Sequence, residues 1–470
     1  MKLFGTSGIR MKNLTPEITY KVGFAVAQLY KSVVVGRDTR TTGELIKTSL
    51  FAGLLNGGAE VDDIGIVPTP TLGYNSRNYN IGIMITASHN PSEYNGIKLF
   101  NNDGTAFKPQ QEAEIEQLIF NKSRSEYNRA NWNNIKRIWN NEKGIYNYNN
   151  FILENINLNY DNDNDSNNDN NSNNSNNKNK YKVVVDCANS AGCVVSPYLF
   201  TDVGAHVISV NSHIDGRFIG RNPEPNETNL KNTINMIKGL NTIDNNNYIG
   251  IAHDGDGDRM IAIDEKGRLT DFDKLLAIFS KYIIEKTNTN IIITTVDASK
   301  CIDDHIKDLG AKVIRTKVGD VAVSEELSKY SNNQCVFGGE PSGTWIHKDI
   351  HLTPDGILSG LRLLEMIEYY NKQLYELIEE VPEYCNLREK IPCTDDKKHI
   401  VMEKVIEEGE KVYGVIVETI DGARFNLDNG WVLIRPSGTE PYIRVRVEGK
   451  SEKVAKELLN KGIELVKKFV

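Results

Sequence analysis

Short apolar runs alternate with longer amphipathic stretches along the first third of the chain. The β-branched runs predict strands, and the helix-period stretches between them predict helices. Strands are predicted at 33–36, 59–66 and 81–86, and helices at 42–56 and about 71–78. This order predicts a βαβαβ unit with a parallel sheet. Because ligands bind beyond the carboxyl ends of such strands, the TASHNP segment at 86–91 lies where a binding loop is expected.

The strand and helix pattern restarts after residue 180. Residues 183–192 have a strand–turn–helix pattern, and 248–264 predict a strand, a tight acidic turn and a second strand. A third α/β unit is predicted with strands near 291–296, 312–316 and 334–338. In the last block, strands near 415–419, 423–427, 431–435 and 442–447 follow closely on one another, and a helix is predicted at 452–468. The sequence therefore predicts three similar α/β units followed by one α+β domain.

A low-complexity segment separates the first two units. Residues 161–180 contain eleven Asn among twenty residues and cannot bury enough apolar surface to offset the entropy of ordering them. We interpret this segment as a disordered insertion at a domain boundary. The expected domains are 1–158, 181–266, 267–382 and 383–470, with the insert at 159–180.

The composition of the chain indicates which classes of protein it can belong to. The chain has 470 residues, 39% of them hydrophobic and 25% charged, with a net charge of −8. Such a chain is typical of a soluble multidomain protein, and its acidity argues against a nucleic-acid partner. There is no membrane-length apolar run, and the six cysteines form no CxxC pair, so a cytosolic protein without a membrane partner is expected.

The first chemical candidate is Ser88 in the TASHNP loop. A serine that follows a buried strand, beside His89 and within reach of Lys98, is a reasonable nucleophile. By itself the loop is also compatible with an ordinary Ser/Asn turn.

The acidic turn HDGDGDR at 253–259 carries a stronger signal. Asp254, Asp256 and Asp258 alternate with glycines, so several carboxylate oxygens can face one hard cation that offsets their repulsion. A calcium loop of the EF-hand type is the alternative, but its sixth position needs Gly, and Arg259 stands there. Magnesium is therefore preferred, with room for a phosphate oxygen.

Two later loops suit a sugar phosphate. In RPSGTEP, the side chains of Arg435, Ser437 and Thr439 and the amide of Gly438 can hold a phosphate, although a plain turn is the alternative. In GGEPSG, a carboxylate and a hydroxyl suit paired sugar hydroxyls, although this signal is weak alone. Those two residues are Glu340 and Ser342.

These four loops, in this order, resemble the α-D-phosphohexomutase family. The resemblance runs from FGTSGIR at 4–10 to RPSGTEPYIRV at 435–445, apart from the Asn-rich insert. It implies four domains around a central cleft, three of them similar α/β units and the fourth a TATA-binding-protein-like α+β domain.

The resemblance also implies residue roles. Ser88 would carry the phosphoryl group, and Ser88 with the three Asp would bind one Mg²⁺ per subunit. Glu340 and Ser342 would grip two sugar hydroxyls, and the RPSGT loop would hold the phosphate that does not react. The residues expected to line the reaction centre are Arg10, His89, Lys98 and Arg259, with Lys98 or His89 transferring the proton.

The implied reaction exchanges a phosphoryl group through a sugar 1,6-bisphosphate, which acts as intermediate and activator on a hexose or hexosamine phosphate. GTSGIR and the KVGD at 317–320 are more similar to the family's phosphoglucosamine mutases than to its bacterial phosphomannomutases. Interconversion of glucosamine 6- and 1-phosphate is therefore expected, with phosphomannomutase/phosphoglucomutase as the alternative. A catalytically inactive sugar-phosphate sensor is the alternative from another class. The sequence predicts no particular oligomeric state.

One position departs from the family's pattern. Many members have His directly after the final Gly of the sugar loop, whereas this chain has Thr344 there and His347 slightly later. This departure bears on the fine specificity for the sugar.

Overall fold

The computed structural model describes residues 3–5, 7–120, 128–158, 181–244, 247–437 and 440–470. The predicted Asn-rich insert lies outside the described residues. The chain divides into two compact units: unit 1 comprises Met1–Thr270 and Ser342–Glu376, and unit 2 comprises Asp271–Pro341 and Leu377–Val470.

The first block of unit 1 is a six-stranded sheet with helices on its faces. Its strands are β1 (Ile9–Met11), β2 (Ser32–Arg37), β3 (Glu60–Ile66), β4 (Ile81–Ile85), β5 (Asn95–Asn101) and β6 (Ile138–Asn140). Its helices are α1 (Pro16–Leu29), α2 (Gly43–Asn56), α3 (Thr69–Asn75), α4 (Pro109–Phe120) and α5 (Gly144–Asn155).

The strand order of this sheet is β1–β5–β4–β2–β3–β6. β2 pairs in parallel with both β3 and β4, which confirms the predicted βαβαβ unit. β5 then returns antiparallel to β4. The connection from β4 to β5 is the TASHNP loop, so it follows the carboxyl end of a fully buried strand.

The second block of unit 1 is a smaller sheet in the order β10–β9–β7–β8. Its elements are β7 (Lys182–Asp186), β8 (His206–Val210), β9 (Ile249–His253), β10 (Met260–Ile263), α6 (Ser196–Asp202) and α7 (Lys231–Asp244). β9 and β10 form an antiparallel pair, and the Asp-rich turn connects them. The predicted strand–turn–strand is confirmed, and its flanks are strands, unlike the helices of an EF-hand.

The third block is divided between the two units. Unit 2 contains α8 (Phe272–Thr287), β11 (Ile291–Thr295), α9 (Cys301–Ile306), β12 (Lys312–Thr316), α10 (Asp320–Leu327) and β13 (Phe337–Glu340), while unit 1 contains β14 (Thr344–His347) and α11 (Gly356–Tyr370). The helix α12 (Leu374–Glu379) follows. β11 pairs in parallel with β12 and β13, as the sequence predicts for an α/β unit.

The last block is an antiparallel sheet covered by two helices. Its elements are β15 (Cys385–Pro392), α13 (Asp395–Tyr413), β16 (Val417–Glu418), β17 (Ala423–Leu427), β18 (Gly430–Pro436), β19 (Tyr442–Gly449) and α14 (Glu452–Lys467). The strand order is β15–β19–β18–β17–β16. Alternate residues such as Ile443, Val445 and Val447 enter the core beneath the helices, so the opposite face carries the polar residues. The predicted α+β character of this block is confirmed.

Among the described residues, no helix combines the length and apolarity needed to span a membrane.

Candidate functional site

The Ser88 loop is held in a conformation that few non-glycine residues adopt. Ser88 has φ of 49°, in the left-handed region, which costs roughly 1–3 kcal/mol and persists only where surrounding contacts enforce it. The amide of Ser88 donates to Thr86 Oγ1 at 2.9 Å. Thr86 Oγ1 in turn donates to Asp38 Oδ2 at 2.7 Å. The serine that the sequence marks as a nucleophile therefore lies in a strained and well-fixed turn.

Arg40 fixes the rest of this loop. Its Nη1 donates to the carbonyl oxygens of Pro91 at 2.5 Å and Tyr94 at 2.8 Å. Its Nη2 donates to those of Ser88 at 2.8 Å and Asn90 at 2.6 Å. The remaining donor, Nε, bonds Asp38 Oδ2 at 2.9 Å. All five guanidinium N–H donors are thus used, and a buried cation binds the main chain of the whole loop.

Sequence reasoning missed Arg40 as a functional candidate. Its partners are main-chain carbonyls, which leave no signature in side-chain identities. The available signal was the charged segment RDTR at 37–40, which directly follows a buried strand of the same sheet as β4.

The Asp-rich turn meets this loop directly. Ser88 Oγ donates to Asp254 Oδ2 at 2.7 Å. The glycines of the turn allow this approach: a Cβ at Gly255 would lie 2.3 Å from the Ser88 carbonyl oxygen, and Gly257 has φ of +71°. Gly255 is therefore required by close contact with the Ser88 loop, and Gly257 by its left-handed conformation.

The three aspartates form a group that suits a divalent cation. One carboxylate oxygen from each of Asp254, Asp256 and Asp258 lies within 4.8 Å of the others, and all three residues are buried. Asp256 Oδ1 and Asp258 Oδ1 are buried and have no hydrogen-bond partner in the part of the chain that the structure describes. Hard oxygen donors in this number, two of them unsatisfied, fit Mg²⁺ with further positions for water or a phosphate.

Burial and the charges of neighbouring groups shift the pKa values of all three aspartates. Burial, followed by the charges of Asp258 and Asp256, raises the pKa of Asp254 well above its ordinary value. Burial and Asp256 likewise raise the pKa of Asp258. Burial also acts on Asp256, but the ammonium of Lys98 outweighs it and lowers the pKa of that carboxyl. A cation is what this arrangement requires.

The predicted cations of the reaction centre lie in the same unit. Lys98 Nζ lies 2.7 Å from Asp256 Oδ2 and 2.6 Å from Asp258 Oδ2. His89 Nδ1 lies 3.4 Å from Ser88 Oγ. Burial, followed by the charges of Arg259 and Arg10, lowers the pKa of His89 to about 2, so its imidazole is neutral at neutral pH.

Arg10 and Arg259 come from two different parts of unit 1. Arg10 lies in the middle of β1, and its Nε is buried with no hydrogen-bond partner among the described residues. The amide of Arg259 donates to Asp254 Oδ1 at 3.3 Å, at the end of the Asp-rich turn. The structure therefore brings Ser88, the three Asp and these cations into one unit.

The residues of the predicted sugar loop fall on both sides of the unit boundary. In unit 2, Glu340 Oε1 accepts from the amide of Gly319 at 2.7 Å, which ties it to the KVGD segment. In unit 1, Ser342 Oγ lies 3.2 Å from Thr344 Oγ1. His347 is fully buried, with Nε2 3.0 Å from Ser359 Oγ, so it does not take the place of the histidine that Thr344 replaces.

The described part of the RPSGT loop belongs to unit 2. Arg435 Nη2 lies 2.7 Å from Asp421 Oδ2. The Ser437 hydroxyl accepts from the amide of Glu440 at 3.2 Å. Lys398 Nζ donates to the carbonyl oxygens of Ser437 and Glu440, both at 2.6 Å. Gly438 and Thr439, also predicted to bind phosphate, lie outside the described residues.

Comparison with known proteins agrees with this organisation. Four family models match in order: the phosphoglucomutase/phosphomannomutase alpha/beta/alpha domains I, II and III at 1–126, 164–267 and 271–384, and the C-terminal domain at 390–464. The chain belongs to the phosphoglucomutase/phosphomannomutase family. The resemblance to the α-D-phosphohexomutases is thereby confirmed, as are the fold class and the enzymatic nature of the protein.

Relatives and solved structures cover the whole chain. A phosphoglucosamine mutase of Methanococcus aeolicus is 70% identical, with 99% of this chain and 98% of that protein covered. One of Methanocaldococcus jannaschii is 64% identical at the same coverage. The crystal structure of a family member from Burkholderia thailandensis has a TM-score of 0.83 at 24% identity, covering 99% of this chain and 97% of that one.

This family is Mg²⁺-dependent and acts on hexose and hexosamine phosphates. The buried Asp triad fits that requirement, since its three carboxylates supply the oxygen ligands that Mg²⁺ prefers.

Proposed function

We propose that this enzyme interconverts glucosamine 6-phosphate and glucosamine 1-phosphate through a phosphorylated Ser88. The observation that carries the proposal is the 2.7 Å contact between Ser88 Oγ and Asp254 Oδ2, at the edge of a buried carboxylate triad. A serine that only filled a turn would not need a strained conformation against three repelling carboxylates.

Ser88 acts as the carrier of the phosphoryl group. A sugar hydroxyl attacks the phosphorus of phosphoserine, the bond to Ser88 Oγ breaks, and a sugar 1,6-bisphosphate results. After the sugar turns over, Ser88 Oγ attacks the other phosphate and leaves the product monophosphate. The first half-reaction gives one phosphoryl group to the sugar and the second returns one to Ser88, so the carrier is regenerated.

Asp254, Asp256 and Asp258 would hold the Mg²⁺. When bound, the ion supplies charge stabilisation for the transferring phosphoryl group. The cations Arg10, Lys98 and Arg259 add positive charge at the same centre, in a buried environment where charge interactions are stronger than in water.

Proton transfer from the attacking hydroxyl is assigned to Lys98 in preference to His89: the neutral amine of Lys98 would accept the proton, and the ammonium so formed would face Asp256 and Asp258. A pKa of about 2 makes the His89 imidazole a weak proton acceptor. His89 instead contributes a neutral hydrogen-bonding ring 3.4 Å from Ser88 Oγ. Lys98→Arg should keep the positive charge but lose the base, so kcat falls and the limb of the pH profile on which kcat rises with deprotonation of the base changes. His89→Gln should retain the wild-type pH profile.

Arg435 and Ser437, with Gly438 and Thr439, would bind the phosphate that does not react, and Glu340 and Ser342 would bind sugar hydroxyls. A planar guanidinium matches phosphate oxygens two at a time, and Asp421, 2.7 Å away, orients it. Because the sugar binds in two orientations, these groups must recognise features that both orientations share. In the domains predicted from the sequence, with boundaries at 158, 181, 267 and 383, the sugar-binding residues and the phosphate-binding residues fall in different domains.

Glucosamine is favoured as the substrate because relatives at 70% and 64% identity over nearly the whole chain are phosphoglucosamine mutases. The second candidate is phosphomannomutase/phosphoglucomutase activity, which the family's name covers. We also propose that the enzyme works in the cytoplasm, where such sugar phosphates are found.

A parallel assay separates the two candidates. The purified enzyme, with Mg²⁺ and a trace of glucose 1,6-bisphosphate, is given the 1-phosphates of glucosamine, glucose and mannose at equal concentrations. We expect kcat/KM to be highest for glucosamine 1-phosphate. A much higher value for either neutral sugar would overturn the substrate assignment and leave the phosphoserine chemistry standing. Loss of turnover with all three would favour the inactive sensor.

A further inference from the structure

The segment VPTPT at 67–71 connects β3 to α3 and packs against the Asp-rich turn within unit 1. Thr69 stands between Pro68 and Pro70, and the ring of each proline fixes its own φ, so this stretch of main chain has few alternative conformations. A Cβ at Gly257 would lie 3.3 Å from Cβ of Pro68, which shows how closely the two segments approach. Thr69 is therefore held in a rigid segment beside the carboxylate triad.

Thr69 binds Asp256 at two points. The amide of Thr69 donates to the carbonyl oxygen of Asp256 at 2.8 Å, and the Thr69 hydroxyl donates to Asp256 Oδ2 at 2.7 Å. Both residues are buried, so water does not compete for these hydrogen bonds. Because one bond fixes the main chain of Asp256 and the other fixes its carboxylate, the orientation of the whole residue is set from outside the triad.

These contacts divide the two carboxylate oxygens of Asp256 between different partners. Oδ2 accepts from the Thr69 hydroxyl and from Lys98 Nζ, each at 2.7 Å. Oδ1 is buried and has no hydrogen-bond partner among the residues that the structure describes. With both donors on Oδ2, the carboxylate offers Oδ1 to a cation. Hydrogen bonds of this kind to a ligating carboxylate orient it and tune its affinity for the metal.

The Thr69 contact is also one that the proposed reaction leaves undisturbed. Ser88 Oγ donates to Asp254, but that proton is replaced when Ser88 carries the phosphoryl group. Lys98 changes its protonation state when it transfers the proton. The Thr69 hydroxyl is neutral and takes no part in the chemistry, so it can hold Asp256 in one orientation throughout the cycle.

We propose that Thr69 is a positioning residue that orients Asp256 for the divalent cation. The inference rests on the proposed assignment of Mg²⁺ to the triad. Thr69 acts through Asp256 and needs no contact with the substrate. A carboxylate that is oriented before the cation arrives loses less conformational freedom on binding, so the hydroxyl raises the affinity for the metal.

The test compares two substitutions of equal shape on α3. Thr69→Val removes the hydroxyl that donates to Asp256. Thr71→Val is the matched control, because Thr71 lies on the same helix, is also buried, and its Oγ1 has no hydrogen-bond partner within the described part of the chain. Thr69→Ser keeps the hydroxyl and tests for rescue.

Cation binding is measured on the full-length enzyme without substrate. Mn²⁺ is the probe, because it accepts the same oxygen ligands as Mg²⁺ and electron paramagnetic resonance reports its free concentration. Competition with Mg²⁺ then gives both dissociation constants. Melting temperatures in EDTA and in Mg²⁺ show how far each variant is stabilised by the ion, and steady-state assays give the Mg²⁺ concentration for half-maximal activity.

For Thr69→Val we expect both dissociation constants to rise about tenfold, with a smaller increase in melting temperature on adding Mg²⁺. Thr71→Val and Thr69→Ser should stay within about twofold of the wild type, because neither loses a hydroxyl contact to the triad. Equal affinities in Thr69→Val and Thr71→Val would overturn the proposal. A lower melting temperature of Thr69→Val in EDTA, with unchanged cation affinity, would also overturn it by showing a merely structural contact. If Thr69→Val does not fold, Thr69→Ala carries the same expectation.

Asp256→Asn separates this inference from the proposed function. Weakened cation binding in Asp256→Asn but not in Thr69→Val would refute the role of Thr69 alone. Unchanged binding in Asp256→Asn would refute the assignment of the ion to the triad, and the role of Thr69 with it. Failure of the wild-type enzyme to turn over any of the three sugar phosphates, with the effect of Thr69→Val on cation binding intact, would contradict the proposed function and leave the positioning role standing.

Discussion

The loop that carries Ser88 in unit 1 and the loop that follows Arg435 in unit 2 are each fixed by one buried cation that binds main-chain carbonyls. Arg40 uses all five of its donors, four on carbonyls of residues 88–94 and one on Asp38. Lys398 uses three, on the carbonyls of Ser437 and Glu440 and on Asp395. The planar fork of arginine sets positions and angles together, whereas an ammonium group sets distances alone.

This difference agrees with the two tasks that we propose. A phosphoryl group crosses between oxygens at Ser88, where small errors in position are costly. At Arg435 a phosphate is only held, and both ends of the sugar must be accepted in turn. Ser88 is therefore strained and almost fully buried, whereas the Arg435 side chain is 26% exposed.

The largest effect on kcat is expected when the Ser88 hydroxyl is removed. Removal of the Ser437 hydroxyl in the other loop is the comparison. Ser88→Ala should lower kcat by a factor of about 10⁴ or more, because the carrier oxygen is lost. Ser437→Ala should raise KM by about tenfold and change kcat little, because one hydrogen bond to a held phosphate is lost. Steady-state assays of both variants, with thermal melting as a check on folding, give the result. Ser88→Ala retaining most of its turnover would contradict the phosphoserine mechanism.

The next effect concerns the carboxylate triad. Asp254→Asn should lower kcat by a factor of roughly 10³ through loss of charge stabilisation by the metal. In EDTA it should also change how stability depends on pH. The raised pKa means that native Asp254 binds more protons than the unfolded chain above its ordinary value of 3.8. Its contribution to stability therefore falls as the pH rises from about 4.

Melting temperatures at pH 5 and pH 8, measured in EDTA, test that sign. The wild-type protein should lose more stability between the two pH values than Asp254→Asn does, and Mg²⁺ should reduce the wild-type loss. Asp428→Asn, an exposed carboxylate in unit 2, is the matched control and should behave as the wild type does. An equal loss in Asp254→Asn and the wild type would show that repulsion within the triad does not act on stability.

A smaller effect on activity is expected when Arg40 or Lys398, the cations that fix the two loops, is replaced. Arg40→Lys keeps the charge but cannot reach all four carbonyls, so kcat should fall by about 10- to 100-fold with KM nearly unchanged. Lys398→Met should mainly raise KM. Thr86→Val, which removes the hydroxyl that accepts from the Ser88 amide, should show a milder loss of kcat and serves if Arg40→Lys folds poorly. Similar changes in KM for Arg40→Lys and Lys398→Met would remove the distinction between the loops.

The smallest effect is expected in the Asn-rich insert. Deletion of 161–180 should leave kcat and KM within about twofold, because this composition buries no core. Deletion of α7, which has 14 residues, is the contrasting control and should abolish folding. A large loss of activity on deleting the insert would give it a structural role.

Much of this organisation could be predicted from the sequence. The apolar runs at 33–36, 59–66 and 81–86 predicted three parallel strands, and the flanks of the Asp-rich turn predicted a strand pair. The patterns of β2 and β4 are strong because those two strands are buried on both faces. In contrast, no element was predicted at 385–413, where the structure has β15 and α13. The mostly exposed β15 contains three consecutive charged residues, Arg388, Glu389 and Lys390, so its apolar alternation is faint.

At the candidate site, the residues expected to carry the chemistry could be predicted from the sequence. The contacts that hold those residues in place could not. The spacing of Asp254, Asp256 and Asp258 predicted a cation site. In the structure, one carboxylate oxygen from each of them lies within 4.8 Å of the others. The left-handed turn at Ser88 and the carbonyl contacts of Arg40 depend on main-chain geometry from segments far apart in sequence. Such contacts are set by the tertiary fold, so no local pattern encodes them.

The most direct measurement of the central claim is the location of phosphate on the enzyme. Purified protein is incubated with glucose 1,6-bisphosphate and Mg²⁺, digested, and analysed by peptide mass spectrometry, before and after addition of excess glucosamine 6-phosphate. The account predicts one phosphate on the peptide containing Ser88, lost on addition of the monophosphate and absent in Ser88→Ala. An active enzyme with no phosphate on Ser88 under any of these conditions would contradict it.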